Sequence, residues 1–421
     1  MPTILLLTQV LPYPLTGGAK IRAYYMLRHL SQRHDVTLAS FVRDDDAPDA
    51  VDHLRQYCQA VHTVPIERSG PHDGFAFVES LLSGRPASIL RDRLPGMQAL
   101  LRRLARETPF AVVHADQTAM AQYALYARDA HPLERRPQIL LDQHNAMYLL
   151  VQRQGGYESG LLRLIWQREA RLLRRYETAL VQQFDHILTV TEEDRQALLN
   201  LFSTSLREQL RQKFTSLPIC VDPADKEPVL YEDQGPNILH LGTMFWPPNV
   251  EGVLWFAKDV LPLILQEVPH AQFTIAGKNP PSTVSDLAQS GSPLQGHVEV
   301  TGYVPDAQPL LSRCRAFVVP VRAGGGMRVK IVDGWQWGLP IVSTTIGAEG
   351  IDTRPGENIL LADEPQEFAN AVVRVLTDSQ LNSSLRENGR RWVEEHYDWR
   401  HVYKEVDDVY QTLLRSARSA P

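Results

Sequence analysis

At 421 residues the chain is longer than one ordinary hydrophobic core supports, so two domains or more are expected. A hydrophobic content of 43% and a charged content of 22% are ordinary for a folded soluble protein, and a net charge of −6 leaves no overall basic field for nucleic acid. Three cysteines, Cys58, Cys220 and Cys314, lie far apart in no metal-like spacing; this excludes a disulfide framework and fits a reducing, cytoplasmic compartment.

The first apolar run, Ile4 to Leu7, has no basic residue before it and is too short for a signal peptide or a membrane span. It reads as the first strand, near 3–8, followed by further strands near 35–41, 61–65, 111–114, 139–142 and 186–190. The stretch 21–32 between the first two has helical spacing, with Ile21, Tyr24, Tyr25, Leu27 and Leu30 apolar. Alternating strand and helix predicts a largely parallel sheet covered on both faces. The run Arg43-Asp44-Asp45-Asp46 reads as a solvated loop. Residues 161–175 hold Arg163, Arg168, Arg171, Arg174 and Arg175 among Leu, Ile and Trp. Such a stretch either packs its apolar side into the domain or lies peripherally on an anionic membrane.

The segment 218–236 is rich in proline and acidic residues and carries little periodicity, so it reads as a linker. Beyond it the alternation resumes, with strands expected near 237–241, 272–276, 297–301, 316–321, 341–344 and 358–361. Asn249 reads as a helix N-cap ahead of Val253, Phe256, Val260 and Leu263. The resulting division is 1–217, linker 218–236, 237–399, and a final helix at 400–421 that crosses back onto the first domain. Two doubly wound α/β domains of this kind present the carboxyl ends of their strands to a shared crevice, where ligands bind.

The strongest local pattern is the run from Phe317 to Gly334, which reads strand, glycine loop (Gly324, Gly325, Gly326), Met327, then helix. Glycines admit a ligand close to the backbone, and amides at a helix N-terminus favour anions. Arg328 and Lys330 in the first turn oppose the helix dipole unless an anion such as a diphosphate offsets them. Asp333 either accepts from ribose hydroxyls or pairs with Lys330. Gly338 and Pro340 stop the helix. Thr345, Gly347, Glu349 and Gly350 either line the crevice or are a plain connection. In the first half, Gly17 and Gly18 join the first strand to the first helix; they either face a phosphate or make a simple turn. His114 and His144 end strands, with Asp116 and Asn145 nearby. Each histidine is structural or faces the crevice.

These residues resemble the retaining GT-B glycosyltransferases of family 4. The likeness is carried by Gly242-Thr243-Met244-Phe245-Trp246-Pro247-Pro248-Asn249, by Val300-Thr301-Gly302-Tyr303-Val304-Pro305-Asp306, by the glycine–Arg–Lys helix and by Gly347-Ala348-Glu349-Gly350-Ile351. It is specific over 237–362, looser before that, and similar to a glycine-rich subgroup associated with surface-polysaccharide synthesis. The resemblance implies two Rossmann-like domains and a nucleotide-diphosphate sugar as co-substrate. It also implies transfer to a glycan, lipid-linked or small-molecule hydroxyl with retained configuration, and neither metal nor other cofactor.

By the same resemblance Lys330 and Arg328 hold the diphosphate and His144 stands near the reacting sugar. Gly17, Gly18, Gly242, Thr243, Tyr303, Val304, Gly324, Gly325, Gly326, Met327 and Asp333 contact the donor. The family pattern of Glu, seven residues, Glu is replaced here by Gly325 and Asp333, which bears on the contacts to the sugar and the ribose. Rival readings are a GT-B epimerase or phosphorylase, a nucleotide-sugar-binding protein without turnover, and a GT-A enzyme using Asp44-Asp45-Asp46 as a metal motif.

Overall fold

A computed structural model describes residues 1–419 apart from 68, 157, 233 and 234. The chain forms two compact units, Met1–Cys220 with Trp399–Pro421, and Val221–Asp398.

The first unit is built on seven parallel strands: β1 (Thr3–Thr8), β2 (Asp35–Val42), β3 (Ala60–Pro65), β4 (Val112–Asp116), β5 (Gln138–Gln143), β6 (His186–Thr189) and β7 (Phe214–Ser216). Their order is β3-β2-β1-β4-β5-β6-β7. A parallel sheet is buried on both faces, which is why β1 reads Ile-Leu-Leu-Leu without alternation. Leu5, Leu7, Phe41, Val113 and Leu141 face one layer of helices; Ile4, Leu6, Leu38, Val112 and Leu140 face the other. β7 is absent from the sequence reading, because three residues carry no period.

The second face is closed partly by the helix Gly18–Ser31 and partly by the end of the chain. Trp399, Tyr403, Val406, Tyr410 and Leu413 are buried there with Tyr25, Leu27 and Leu30. Polar contacts fix the register of this segment. His29 Nε2 lies 2.9 Å from Asp407 Oδ1, and Tyr410 Oη lies 2.7 Å from His114 Nδ1.

The second unit has six parallel strands: β8 (Asn237–Leu241), β9 (Gln272–Ala276), β10 (Val298–Gly302), β11 (Ala316–Val319), β12 (Ile341–Ser343) and β13 (Leu360–Leu361). Their order, β10-β9-β8-β11-β12-β13, repeats that of the first six strands. The strand order reverses between β1 and β4 in one sheet and between β8 and β11 in the other. At such points the flanking loops part and leave a crevice at the carboxyl edge.

Two local expectations change. Most of the segment read as a linker is integral to the second unit: the Val229 amide donates to the Trp337 carbonyl at 3.0 Å and the Glu232 amide to the Ser312 carbonyl at 2.9 Å. Asn249 does not cap a helix. The helix Pro247–Trp255 starts two residues earlier, at a proline whose fixed φ suits the first turn, and this frees the Asn249 amide for another role. Among the described residues, no helix is long and apolar enough to cross a membrane.

Candidate functional site

The crevice between β8 and β11 collects most of the residues singled out in the second half. β8 ends at Leu241 and the chain turns at Gly242 directly beneath the Lys330 side chain. A Cβ on Gly242 would stand 2.7 Å from Lys330 Nζ and 3.0 Å from His240 Nε2, so a side chain there would displace the ammonium from its place. Likewise, a side chain at Gly277 would collide with the Gly242 carbonyl.

Lys330 enters from the helix Val329–Gln336 and is partly buried. Its Nζ donates to Asn249 Oδ1 at 3.1 Å and faces His240 Nε2 at 3.4 Å. His240 is fully buried, and its Nδ1 lies 2.9 Å from the Val318 carbonyl, which can only accept. Nδ1 therefore carries the proton, and Nε2 offers its lone pair to Lys330. Burial, and then Lys330 itself, hold the His240 imidazole neutral, well below its ordinary range. Burial and then Arg328 press Lys330 down to about 7. Among the described residues no carboxylate pairs with this ammonium.

The glycine loop is shaped by its own arginine. Gly324 and Gly326 have φ of 114° and 80°, in the left-handed region where side chains are strained. Arg328 precedes the helix instead of joining its first turn. Its Nη1 donates to the carbonyls of Gly325 at 2.6 Å and Gly326 at 2.9 Å. The guanidinium thus staples the loop and sits beside Lys330. Met327 is buried beneath. Asp333 does not reach Lys330; its ion-pair partner is Lys226, from the segment read as a linker.

Across the sheet, the ends of β8, β9 and β10 come together. The Gly277 amide donates to the Gly302 carbonyl at 2.8 Å, and the Met244 amide to the Lys278 carbonyl at 2.9 Å. Thr243 and Tyr303 are both exposed, and the Tyr303 ring has Lys278 Nζ 4.5 Å from its centroid. Val304, next in the chain, is half-buried. Beyond β12, Thr345 donates to Asp363 from its amide at 2.8 Å and its hydroxyl at 2.7 Å, and Gly347 donates to Thr344 Oγ1 at 2.8 Å.

In the first unit His144 follows β5 and is buried, with Nε2 2.8 Å from Asp116 Oδ1 at the end of β4. Its loop is clamped from two helices. The Ala146 amide donates to Asp194 Oδ1 at 2.7 Å and the Met147 amide to Glu177 Oε1 at 2.7 Å. Burial raises the Glu177 carboxyl to about 8 despite those hydrogen bonds. Beneath lies Asp142, whose two oxygens accept from Arg22 Nε at 2.9 and 2.8 Å. Burial pushes the Asp142 carboxyl up, but Arg22 and then His114 outweigh it and hold it well below the usual carboxylate range.

Asp116, Asp142 and His144 are the kind of side chains that hold a metal, and their ligand atoms lie within 4.8 Å of one another. The carboxylates are already engaged, Asp142 by Arg22 and Asp116 by His144. A cation would have to displace or crowd a guanidinium. The trio is better matched to fixing the His144 ring, with Nε2–H on Asp116. Gly17 and Gly18 begin the helix Gly18–Ser31, and nothing stands within 4 Å of where a Gly17 Cβ would be. Gly17 is extended, a conformation any residue adopts, so its backbone does not demand glycine.

Comparison with known proteins agrees with both halves. Residues 16–208 match the family described as Glycosyltransferase Family 4, and residues 235–378 match Glycosyl transferases group 1. Taken together, the two matches, one in each unit, are those of a family 4-like GT-B glycosyltransferase.

Among curated relatives the chain is 26% identical over 174 residues to the "uncharacterized 44.6 kDa protein in cps region" of Klebsiella pneumoniae, covering 40% of this chain and 45% of that one. It is 27% identical over 125 residues to the lipopolysaccharide core biosynthesis glycosyltransferase LpsE of Rhizobium meliloti, covering 29% and 35%. The matched segments thus span less than half of either relative. Among solved structures, HepE of Anabaena in complex with UDP and glucose shares the fold at a TM-score of 0.66 and 14% identity, covering 98% of this chain and all of that one.

Two groups of the second-unit site had no reading as site residues in the sequence, His240 and the amide of Asn249. A histidine inside an otherwise apolar strand was the available signal for the first. The second was hidden by its more usual role at helix starts. The motif at Asp44-Asp45-Asp46 is otherwise engaged, Asp46 accepting from Lys20 Nζ and from the Arg43 amide, each at 2.9 Å.

Proposed function

We propose that the chain transfers a sugar from a nucleoside-diphosphate sugar to a hydroxyl of a glycan, lipid-linked or small-molecule acceptor, with retained configuration and without a metal. The observation that carries this reading is the Lys330 ammonium, held at the strand-order reversal by neutral partners and a neighbouring arginine, with no carboxylate among the described residues to balance it. A cation placed at this cost is matched by a ligand that brings negative charge. A diphosphate supplies that charge, and it gains more as the glycosidic bond breaks. Lys330 then stabilises the leaving group more than the ground state, which is what acceleration requires.

In this reading the loop Gly324–Met327, held open by Arg328, gives the diphosphate close access to backbone. Thr243, Tyr303 and Val304 receive the nucleoside. Asp333 accepts from ribose after giving up Lys226. The departing phosphate oxygen takes the acceptor's proton on the face it leaves, so no separate base is needed, and His144, oriented by Asp116, serves the transferred sugar. HepE's complex with UDP and glucose supports a uridine donor as the first to try, and the relative in lipopolysaccharide core synthesis supports a surface-glycan acceptor.

The deciding experiment is calorimetric titration with UDP, GDP and ADP, metal-free, on the wild type and Lys330→Ala, followed by product analysis with the matching sugar nucleotides. One nucleotide is expected to bind, and Lys330→Ala to weaken it at least a hundredfold. Equal binding by the variant would remove the diphosphate assignment. Isomerised or phosphorolysed sugar, in place of transfer, would point to an epimerase or phosphorylase on the same fold.

A further inference from the structure

Large apolar side chains left in solvent are not scattered over this molecule. Seven of the fourteen among the described residues lie on two helices of the first unit. On the helix Gly70–Ser83 they are Phe75, Val78, Leu81 and Leu82, with Phe75 exposed by 70% and Leu82 by 86%. Phe75, Val78 and Leu82 share a helical face, while Ala76 and Ser80 turn inward. On the helix Gly160–Gln183 they are Leu161, Leu162 and Leu164, ahead of the buried stripe that begins at Ala170.

One residue joins the two patches. Arg168 donates to Ser80, to Oγ at 2.9 Å and to the carbonyl at 2.7 Å. Leu81 and Leu82 follow Ser80 directly, and Leu164 lies one turn before Arg168, about 6 Å along the axis. These bonds tie the leucine-bearing parts of the two helices to each other.

The charge on the second helix is mainly basic, whereas the first carries Asp73 and Glu79. Arg163, Arg171 and Arg174 line a groove of about 580 Å³ with Tyr148, Gln152 and Gln167, and among the described residues no acidic one lines it. Glu169, the sole acid in 161–175, turns inward and accepts from the amides of Ala87 at 3.0 Å and Ser88 at 2.9 Å. On the other helix Glu79 is neutralised by Arg93 at 2.6 Å. This basic face runs against a chain whose net charge is −6.

We propose that this face docks on an anionic lipid bilayer. Phe75, Leu82 and the leucines of the first turn enter the boundary between headgroups and acyl chains, and the arginine groove receives lipid phosphate. A second copy of the chain fits poorly, because a symmetric contact would bring the arginines of both copies together. The inference does not rest on the proposed transfer reaction, whose residues here are tested by nucleotide binding in the second unit.

The test is flotation of the full-length protein with vesicles of phosphatidylcholine alone or mixed with phosphatidylglycerol, at low and at physiological salt. The wild type is expected to float at least tenfold better with anionic vesicles. Leu82→Glu with Leu162→Glu should abolish this, and Arg171→Glu with Arg174→Glu should cut it at least fivefold, both with unchanged melting temperature and UDP affinity. Failure of the wild type to bind anionic vesicles at low salt would overturn the proposal, as would unaltered flotation of both variants. So would a dimer in light scattering that the leucine variant dissolves, or inorganic diphosphate binding to the arginine groove by a protein that ignores vesicles.

Discussion

Lys330 is charged or neutral according to conditions close to neutral pH. Burial and Arg328 bring its ammonium down to about 7 in the empty site, whereas a bound diphosphate stabilises the charged form. Above pH 7 nucleotide binding must therefore take up a proton, and affinity falls as pH rises, by at most about tenfold per unit. Titrations at pH 8 in buffers of different ionisation enthalpy should give heats that differ by about one proton; identical heats would mean the ammonium is already charged in the free protein. Gly242 is the second sensitive position. A methyl group there meets Lys330 Nζ at 2.7 Å, so the flexible lysine must move its ammonium aside. Gly242→Ala should weaken UDP binding roughly tenfold or more, and unchanged affinity would show that the ammonium has another place to go. In the first unit, Asp116→Asn leaves His144 without its carboxylate. A lowered kcat with an unchanged UDP dissociation constant is expected, and loss of UDP binding would argue against this division of labour.

At the scale of elements, the loops of the second unit are held by single side chains. Arg328 pins the glycine loop through two carbonyls, so Arg328→Ala should loosen the loop and weaken UDP binding, but less than Lys330→Ala does. The first sheet is braced in another way: Arg22, His114 and Tyr410 converge on Asp142 from the first helix, the sheet and the last helix. Tyr410→Phe removes a buried hydrogen bond and leaves His114 Nδ1 without its partner, a loss of about 1–3 kcal/mol. A denaturant midpoint equal to that of the wild type would show that the hydroxyl is not needed there. Strand positions were legible in the sequence because buried parallel strands are continuous apolar runs, as Thr3–Thr8 and Ala316–Val319 illustrate. Phe214–Ser216 was not legible, since a strand of that length has no pattern to read.

For the whole molecule, the last residues belong to the first unit although 178 residues of the second unit, 221–398, intervene. Trp399, Tyr403, Val406, Tyr410 and Leu413 are almost fully buried, and each such side chain is worth about 1.5–3 kcal/mol. Together they rival the whole stability of an ordinary domain. Truncation after Asp398 should leave the first unit aggregated or molten, judged by near-ultraviolet dichroism and solubility; a soluble, cooperatively unfolding 1–398 would refute this.

The sequence by itself determined the alternation of strand and helix, the doubly wound class, the family resemblance and the glycine–Arg–Lys segment, because these rest on local spacing. Only the tertiary structure decided the partners. Asp333 meets Lys226 and not Lys330, Asn249 serves Lys330 in place of capping a helix, and Arg328 turns back on its own loop. Those choices depend on which strand ends the fold brings side by side, and ion pairs between residues as distant in the chain as Lys226 and Asp333 leave no periodic trace along it.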